Sequence, residues 1–258
     1  MSDGKVHLTI QDGVAAVVFD RPEARNAMTW TMYDELAAIC LDLQQRDDIR
    51  VATFRGVGGQ AFVAGTDIEQ FLAFESGDDG IRYEATIDAR VQLLEGLPFP
   101  TIAVIDGYAI GGGLALSAVC DFRVATPNAA FGVPIARTLG NCLSSANMAR
   151  VVAGFGAARA KRMLLLAETI DAAEARECGF VHEVVEPDAL DTTVAALCKR
   201  LAGHAPLTIK AAKETIRRLT TDGLPSNDDL VRECYGSGDF RIGIEAFLAK
   251  QRPVWTGR

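Results

Sequence analysis

The run Thr101-Ile102-Ala103-Val104-Ile105 is apolar and largely β-branched, and it leads through Asp106-Gly107-Tyr108-Ala109-Ile110 into three consecutive glycines, Gly111-Gly112-Gly113. Directly after them, Leu114 to Cys120 is an apolar, helix-prone segment. Strand, glycine run and helix in that order leave little freedom: the chain must turn sharply and start a helix with no Cβ on its first residues. Such a start exposes backbone N–H groups that have no partner one turn back, and the helix dipole adds positive potential there. One reading is a tight turn packed on a neighbour, because glycines cluster in tight turns. The other is a place where a ligand approaches the backbone closely.

A second junction of the same kind, Gly58-Gly59-Gln60-Ala61-Phe62-Val63-Ala64-Gly65-Thr66-Asp67-Ile68, follows the apolar run Val51 to Arg55 and leads into Glu69-Gln70-Phe71-Leu72. Two such turns are what a pair of backbone donors aimed at one oxygen requires. The rest of the first half alternates in the same manner. Val14 to Phe19, Val51 to Arg55, Thr101 to Ile105, Phe122 to Ala125 and Val181 to Val185 read as strands. Met32, Leu36, Ile39, Cys40 and Leu43, and then Tyr83, Ile87, Val91 and Leu94, recur at helical spacing. Only helical patterns follow Val185. The expected fold is therefore α/β with a helical C-terminal extension.

Composition excludes several function classes. With 258 residues, 49% hydrophobic and 23% charged, the chain is long enough to bury a sizeable core. The excess of 34 acidic over 26 basic residues gives −8, so the surface as a whole repels nucleic acid and anionic membranes, and an anionic ligand needs a local basic patch. The start, MSDGKVHLTIQDG, lacks a charged n-region and apolar run, and no apolar stretch approaches about 18 residues, so neither a signal peptide nor a spanning helix is expected. Six scattered cysteines without a CxxC pair fit reduced thiols and a cytoplasmic location. Metal binding is not expected: His182-Glu183-Val184-Val185-Glu186 holds one histidine, and His204 before Ala205-Pro206 reads as a helix-end residue. Motifs for a P-loop, a GxSxG elbow and an HExxH helix are missing.

The two glycine junctions, Phe62 to Ile68 and Asp106 to Gly113, resemble those of the crotonase (enoyl-CoA hydratase/isomerase) superfamily. Arg21-Pro22-Glu23-Ala24-Arg25-Asn26-Ala27-Met28 is similar to that family's early CoA-contacting turn, Cys120 to Ala125 to its helix-to-strand step, Ala172 to Val181 to its A-x-x-A-x-x-x-G-L-V signature, and Phe240 to Pro253 to its closing helix. The resemblance implies a spiral of ββα units over residues 1–190 carrying an acyl-CoA site, and a helical trimerisation region over 191–258 that makes a homotrimer or a dimer of trimers. It implies an acyl-CoA thioester substrate, with coenzyme A part of the substrate and no separate cofactor. The backbone N–H groups of Thr66 and Gly112 would hold the thioester oxygen, and Arg25, Ala27, Ala64, Asp67, Ile68, Phe247 and Lys250 would contact CoA, Phe247 and Lys250 often from the next subunit.

The departures from the pattern matter for chemistry. The two positions where hydratases of this family carry glutamates hold Ala115 and, after Phe131-Gly132-Val133-Pro134, Ile135 or with another gap Ala136. Hydration needs groups that activate water and move the α-proton, each worth about 10²–10⁴-fold. The loop 137–147 offers hydroxyl, amide and thiol groups instead: Ser144 either caps the next helix or, with Asn141 or Asn147, orders a water or substrate group and acts in catalysis. Cys142 has no histidine near it in sequence to activate it as a nucleophile. Phe71, Leu72 and Phe74 fit either core or an acyl pocket. Three functions remain open: an enoyl-CoA hydratase/isomerase-type lyase, a malonyl-type acyl-CoA decarboxylase that needs no base and for which Arg137 is the nearby cation, and a non-catalytic acyl-CoA-binding protein. Replacing Gly112 by Val is expected to end ligand binding or turnover while the protein stays folded.

Overall fold

The computed structural model describes residues 3–221, 223, 226 and 228–256. Ten strands are present among them: β1 Lys5–Gln11, β2 Val14–Asp20, β3 Val51–Gly56, β4 Ala61–Val63, β5 Thr101–Ile105, β6 Tyr108–Ile110, β7 Phe122–Ala125, β8 Ala130–Gly132, β9 Thr169–Asp171 and β10 Glu183–Val184. The helices are α1 Trp30–Gln44, α2 Gly77–Glu95, α3 Gly112–Ala118, α4 Ile135–Thr138, α5 Ser145–Leu165, α6 Ala172–Glu177, α7 Leu190–Ala202, α8 Pro206–Thr221, α9 Asp228–Tyr235 and α10 Gly238–Leu248.

The strands form two sheets. One runs β1-β2-β3-β5-β7-β10, parallel except for the opening β1–β2 hairpin. The other runs β4-β6-β8-β9, with β4, β6 and β8 parallel and β9 antiparallel at its edge. Consecutive strand pairs β3/β4, β5/β6 and β7/β8 each give one strand to each sheet before a helix follows, so the chain advances as a spiral of ββα units. The five strand segments read from the sequence lie in the first sheet, with Val181 to Val185 shortened to β10 and His182 just ahead of it. The second sheet has strands of only three residues, too short to show a period of two. Gln11-Asp12-Gly13-Val14 closes the β1–β2 hairpin with Asp12 and Gly13 both at positive φ.

Buried residues at helical spacing anchor α1 and α2 in the core. Met32, Leu36, Cys40 and Leu43 of α1 and Ile87, Val91 and Leu94 of α2 join one large core with Phe19, Phe54, Phe62 and Phe131. The C-terminal helices serve different surfaces. Leu190, Leu197, Cys198 and Leu201 of α7 pack on Val51, Ile102, Val104 and Val124 of the first sheet. Val231, Tyr235, Phe240 and Ile244 of α9 and α10 pack on Phe71 and Leu139, near the glycine turns. Helix α8 is held by Lys213, whose Nζ meets Asp121 at 2.7 Å and donates to the Phe99 carbonyl at 3.1 Å, while Leu207, Ile216 and Leu219 remain exposed.

One buried amide fixes the 21–28 turn against the 57–61 segment. Asn26, fully buried and left-handed (φ 58°), accepts from the Arg21 N–H at 3.0 Å and donates to the Val57 and Ala61 carbonyls at 3.0 and 2.9 Å. Asparagine tolerates that backbone and supplies both donor and acceptor. Asn26→Ala strands two buried backbone groups and one part-buried one, so urea unfolding is expected to show a loss of about 3 kcal/mol; a loss below about 1 kcal/mol would show that water replaces those bonds.

Candidate active site

The site is built at one end of the second sheet, where successive turns of the spiral leave it. After β4 the chain runs Ala64-Gly65-Thr66, after β6 Gly111-Gly112, and after β8 Val133-Pro134-Ile135, and all three stretches border one cavity of about 430 Å³. Met28 N–H donates to the Gly65 carbonyl and Asp67 N–H to the Met28 carbonyl, a parallel bridge centred on Met28 and Thr66. Alternation along an extended segment then turns the Thr66 N–H away from Met28. Gly112 is the first residue of α3, so its N–H has no acceptor within that helix.

The three glycines have separate reasons. Gly111 lies at φ 54° and caps α3. A Cβ on Gly113 would stand 1.9 Å from the Val63 carbonyl oxygen, so this glycine serves packing. A Cβ on Gly112 would stand 2.6 Å from the Tyr33 hydroxyl and 3.3 Å from Thr66 Oγ1. The packing reading of the run therefore holds at Gly113, where a side chain would meet backbone, and at Gly112 a side chain would meet two hydroxyls. The contact with the buried Tyr33 also modifies the expectation for Gly112→Val, since that side chain must disturb the core as well as the turn.

Beside the two turns lies a row of hydroxyls. Thr66 Oγ1 is 3.0 Å from both Tyr33 and Tyr83 hydroxyls. Burial pushes the Tyr33 phenol up to about 12 and the Tyr83 phenol well above its ordinary value, so both stay protonated donors at neutral pH. Three hydroxyl hydrogens serve two bonds within the row. One remains for a group outside it.

Eight of the ten site residues drawn from the sequence border the cavity: Thr66, Gly112, Arg25, Ala27, Ala64, Asp67, Ile68 and Phe247. The Asp67 carboxylate is held by Arg21 at 2.7 Å and accepts from the Glu69 N–H at 3.1 Å, so it ties the 21–28 turn to the 64–69 turn. Arg25 is exposed at the rim, its guanidinium carbon 5.6 Å from the centre of the Tyr108 ring. Lys250 lies outside the cavity wall, exposed and left-handed (φ 55°) just past α10. Ser144 also lies outside: its hydroxyl caps α5 by accepting from Asn147 N–H at 3.2 Å and donates to Asp88 at 3.0 Å. Asn147 bonds Arg150 at 2.9 Å, whereas Asn141 borders the cavity with a buried Oδ1 that has no partner. Ile135 borders the cavity and Ala115 is buried in the core; Arg137 is exposed and away from the wall. Phe71 is buried at the cavity edge, Phe74 packs against it, and Leu72 is exposed.

Sequence reasoning missed Tyr33, Tyr83, Tyr235 and Glu84. Glu84 is 5% exposed and borders the same cavity; it accepts from the Tyr235 hydroxyl at 2.6 Å and from the Ser144 N–H at 2.8 Å. Burial raises its carboxyl to about 7, against the lowering effect of those two bonds. Its position was legible, because 84, 87, 91 and 94 share a helix face and a carboxylate on that face is out of place. A close approach delivers Tyr235: a Cβ on Gly80 would lie 2.1 Å from the Tyr235 ring. Among the described residues no cluster of three or more His, Cys, Asp or Glu could hold a metal ion, and no helix is long and apolar enough to cross a membrane.

Comparison with known proteins agrees with this layout. A profile of the enoyl-CoA hydratase/isomerase family matches residues 9–258. An enoyl-CoA isomerase/hydratase of Mycosarcoma maydis, fer4, is 32% identical over 99% of this chain and 96% of its own. An enoyl-CoA hydratase/carnithine racemase from Magnetospirillum magneticum superposes with a TM-score of 0.80 at 33% identity, covering 100% of this chain and 97% of the other. A methylmalonyl-CoA decarboxylase in complex with 2-nitronate-propionyl-CoA superposes with a TM-score of 0.90 at 25% identity, covering 98% and 99%. Match along nearly the whole chain, a spiral of ββα units and two glycine turns meeting at one cavity lead to the same conclusion: the chain belongs to the enoyl-CoA hydratase/isomerase family, the crotonase superfamily, and is an acyl-CoA-processing member of it.

Proposed function

We propose that the protein is an enoyl-CoA hydratase/isomerase-type lyase that forms and quenches a thioester enolate, with the thioester oxygen between the Thr66 and Gly112 N–H groups. The observation that carries this is the placement of those two amides on consecutive turns of the spiral, at the wall of one largely apolar cavity. Enolate formation moves negative charge onto the thioester oxygen, and two preorganised donors in a water-poor site lower that barrier by several kcal/mol. CoA belongs to the substrate, and the chemistry calls on no further cofactor. Arg25 at the rim and Lys250 past α10 supply the local positive charge a phosphate-rich ligand needs in an acidic protein, Ala27, Ala64 and Ile68 line the adenine-side turn, and Asp67 keeps that turn in place through Arg21. The exposed Leu207, Ile216 and Leu219 of α8 fit burial against further copies in a homotrimer or dimer of trimers.

A second reading, malonyl-type decarboxylation, is favoured by the overlap with a methylmalonyl-CoA decarboxylase and by the apolar residues at 115 and 135. Loss of CO₂ leaves its electron pair in the enolate, so that step requires no base. Against it, Arg137 does not reach the cavity wall.

Incubation with enoyl-CoA thioesters of graded chain length is expected to give hydrated or double-bond-shifted product by mass spectrometry. CO₂ release from methylmalonyl-CoA with no enoyl turnover would select the second reading, and tight binding without product would select the non-catalytic one. For Gly112→Ala we expect turnover to fall at least 100-fold and unfolding stability to fall by about 1–3 kcal/mol, since the new methyl meets Tyr33. Unchanged turnover would remove the Gly112 amide from the site.

A further inference from the structure

We propose that Glu84 is the acid–base group of this site, taking the α-proton of the bound thioester and returning it, in place of carboxylates at 115 and 135. The proposal rests on the acyl-CoA reading above. Three carboxylates border the cavity: Asp67 is tied to Arg21, Glu69 is exposed, and Glu84 is buried. The groups that face Glu84 are Tyr83 and Asp88 of its own helix, Tyr33 of α1, Cys142 and the Ser144 amide of the 139–144 loop, and Tyr235 of α9. None is a cation. Arg150 pairs with Asp88 and Glu95, and Arg90 with Asp34.

A buried carboxylate used only to join two segments gains from a cation or from full use of its lone pairs. Glu84 has neither: each oxygen accepts one hydrogen bond, leaving capacity on both. The two bonds orient it, and Asn141 Nδ2 donates to the Tyr235 hydroxyl at 3.0 Å, so a chain of donors runs from the cavity wall to the carboxylate. Its carboxyl near 7 matches a group that must both accept and release a proton at neutral pH.

The step balances without other reactants. Glu84 carboxylate accepts the α-hydrogen as a proton, the C–H electron pair becomes the enolate double bond, and the carbonyl π pair moves onto the oxygen held by the two amides. Return of the proton to carbon regenerates both partners, and exchange of the carboxylic acid with water first delivers a solvent hydrogen instead.

Butyryl-CoA in D₂O tests this, because it has α-hydrogens and no double bond to hydrate. Wild-type protein is expected to bind it by calorimetry and to incorporate deuterium at the α-carbon, with a rate that rises through about pH 7 as the carboxylate forms. Glu84→Gln is expected to bind comparably and exchange at least 100-fold more slowly. Tyr235→Phe removes a donor that favours the carboxylate, so the midpoint of the pH profile should move up by about one unit; a purely structural contact would not move it. If Glu84→Gln fails to fold, the Tyr235→Phe profile decides. Exchange within threefold of wild type in Glu84→Gln, an unmoved midpoint in Tyr235→Phe, or wild-type binding without exchange each overturns the role of Glu84 and leaves acyl-CoA binding intact. Failure of wild-type protein to bind butyryl-CoA overturns the acyl-CoA reading itself.

Discussion

Parallel pairing of Ala61–Val63 with Tyr108–Ile110 is the contact on which the site depends. The register sets where each strand ends, and the residues just past those ends are the turns that carry Thr66 and Gly112. Three-residue strands hold little free energy of their own, so the pairing is secured from outside. The Met28–Thr66 bridge, the Asn26 amide and the Arg21–Asp67 ion pair tie the 21–28 segment to the first turn. On the other side, Gly113 brings α3 against the Val63 carbonyl. A displacement of any of these moves one amide relative to the other, and under the proposed function that weakens their joint hold on one oxygen.

The electrostatic layout follows from the same turns. The chain carries a net charge of −8, yet the groups at the glycine turns are backbone donors and phenols kept neutral by burial. Charge at the cavity lies in the Arg21–Asp67 pair, in the exposed Arg25 and Glu69, and in the buried Glu84. Placing an uncompensated carboxyl in an apolar wall costs stability when it ionises. Helix α10 lines the cavity through Phe247 and Leu248, and α9 meets that carboxyl through Tyr235, so the C-terminal segment contributes to both the apolar wall and the polar surroundings of Glu84.

Much of this was legible in the sequence. Long apolar runs such as Thr101 to Ile105 gave the first sheet, and the glycine junctions gave the turns at the cavity, with eight of ten drawn residues at its wall. The second sheet was hidden, because strands of three residues show no periodicity and Tyr108–Ile110 sits inside what reads as a turn. Ser144 was ambiguous for a physical reason: a serine before a helix serves as a cap in either case, and its hydroxyl is engaged by Asn147 N–H and Asp88. The hydroxyl row of Tyr33, Thr66 and Tyr83 joins three elements far apart in the chain, which no local pattern reports. Glu84 left a trace, a carboxylate on an apolar helix face, but its partners Tyr235 and Ser144 are 151 and 60 residues away.

Under the proposed function, two backbone amides, those of Thr66 and Gly112, polarise a thioester carbonyl. Infrared difference spectroscopy of bound butyryl-CoA labelled with ¹³C at the thioester carbonyl reads that interaction directly. The expected carbonyl stretch is shifted to lower frequency than in water, with the shift reduced in Gly112→Ala at saturating ligand. A bound carbonyl that absorbs at or above its frequency in water would contradict it.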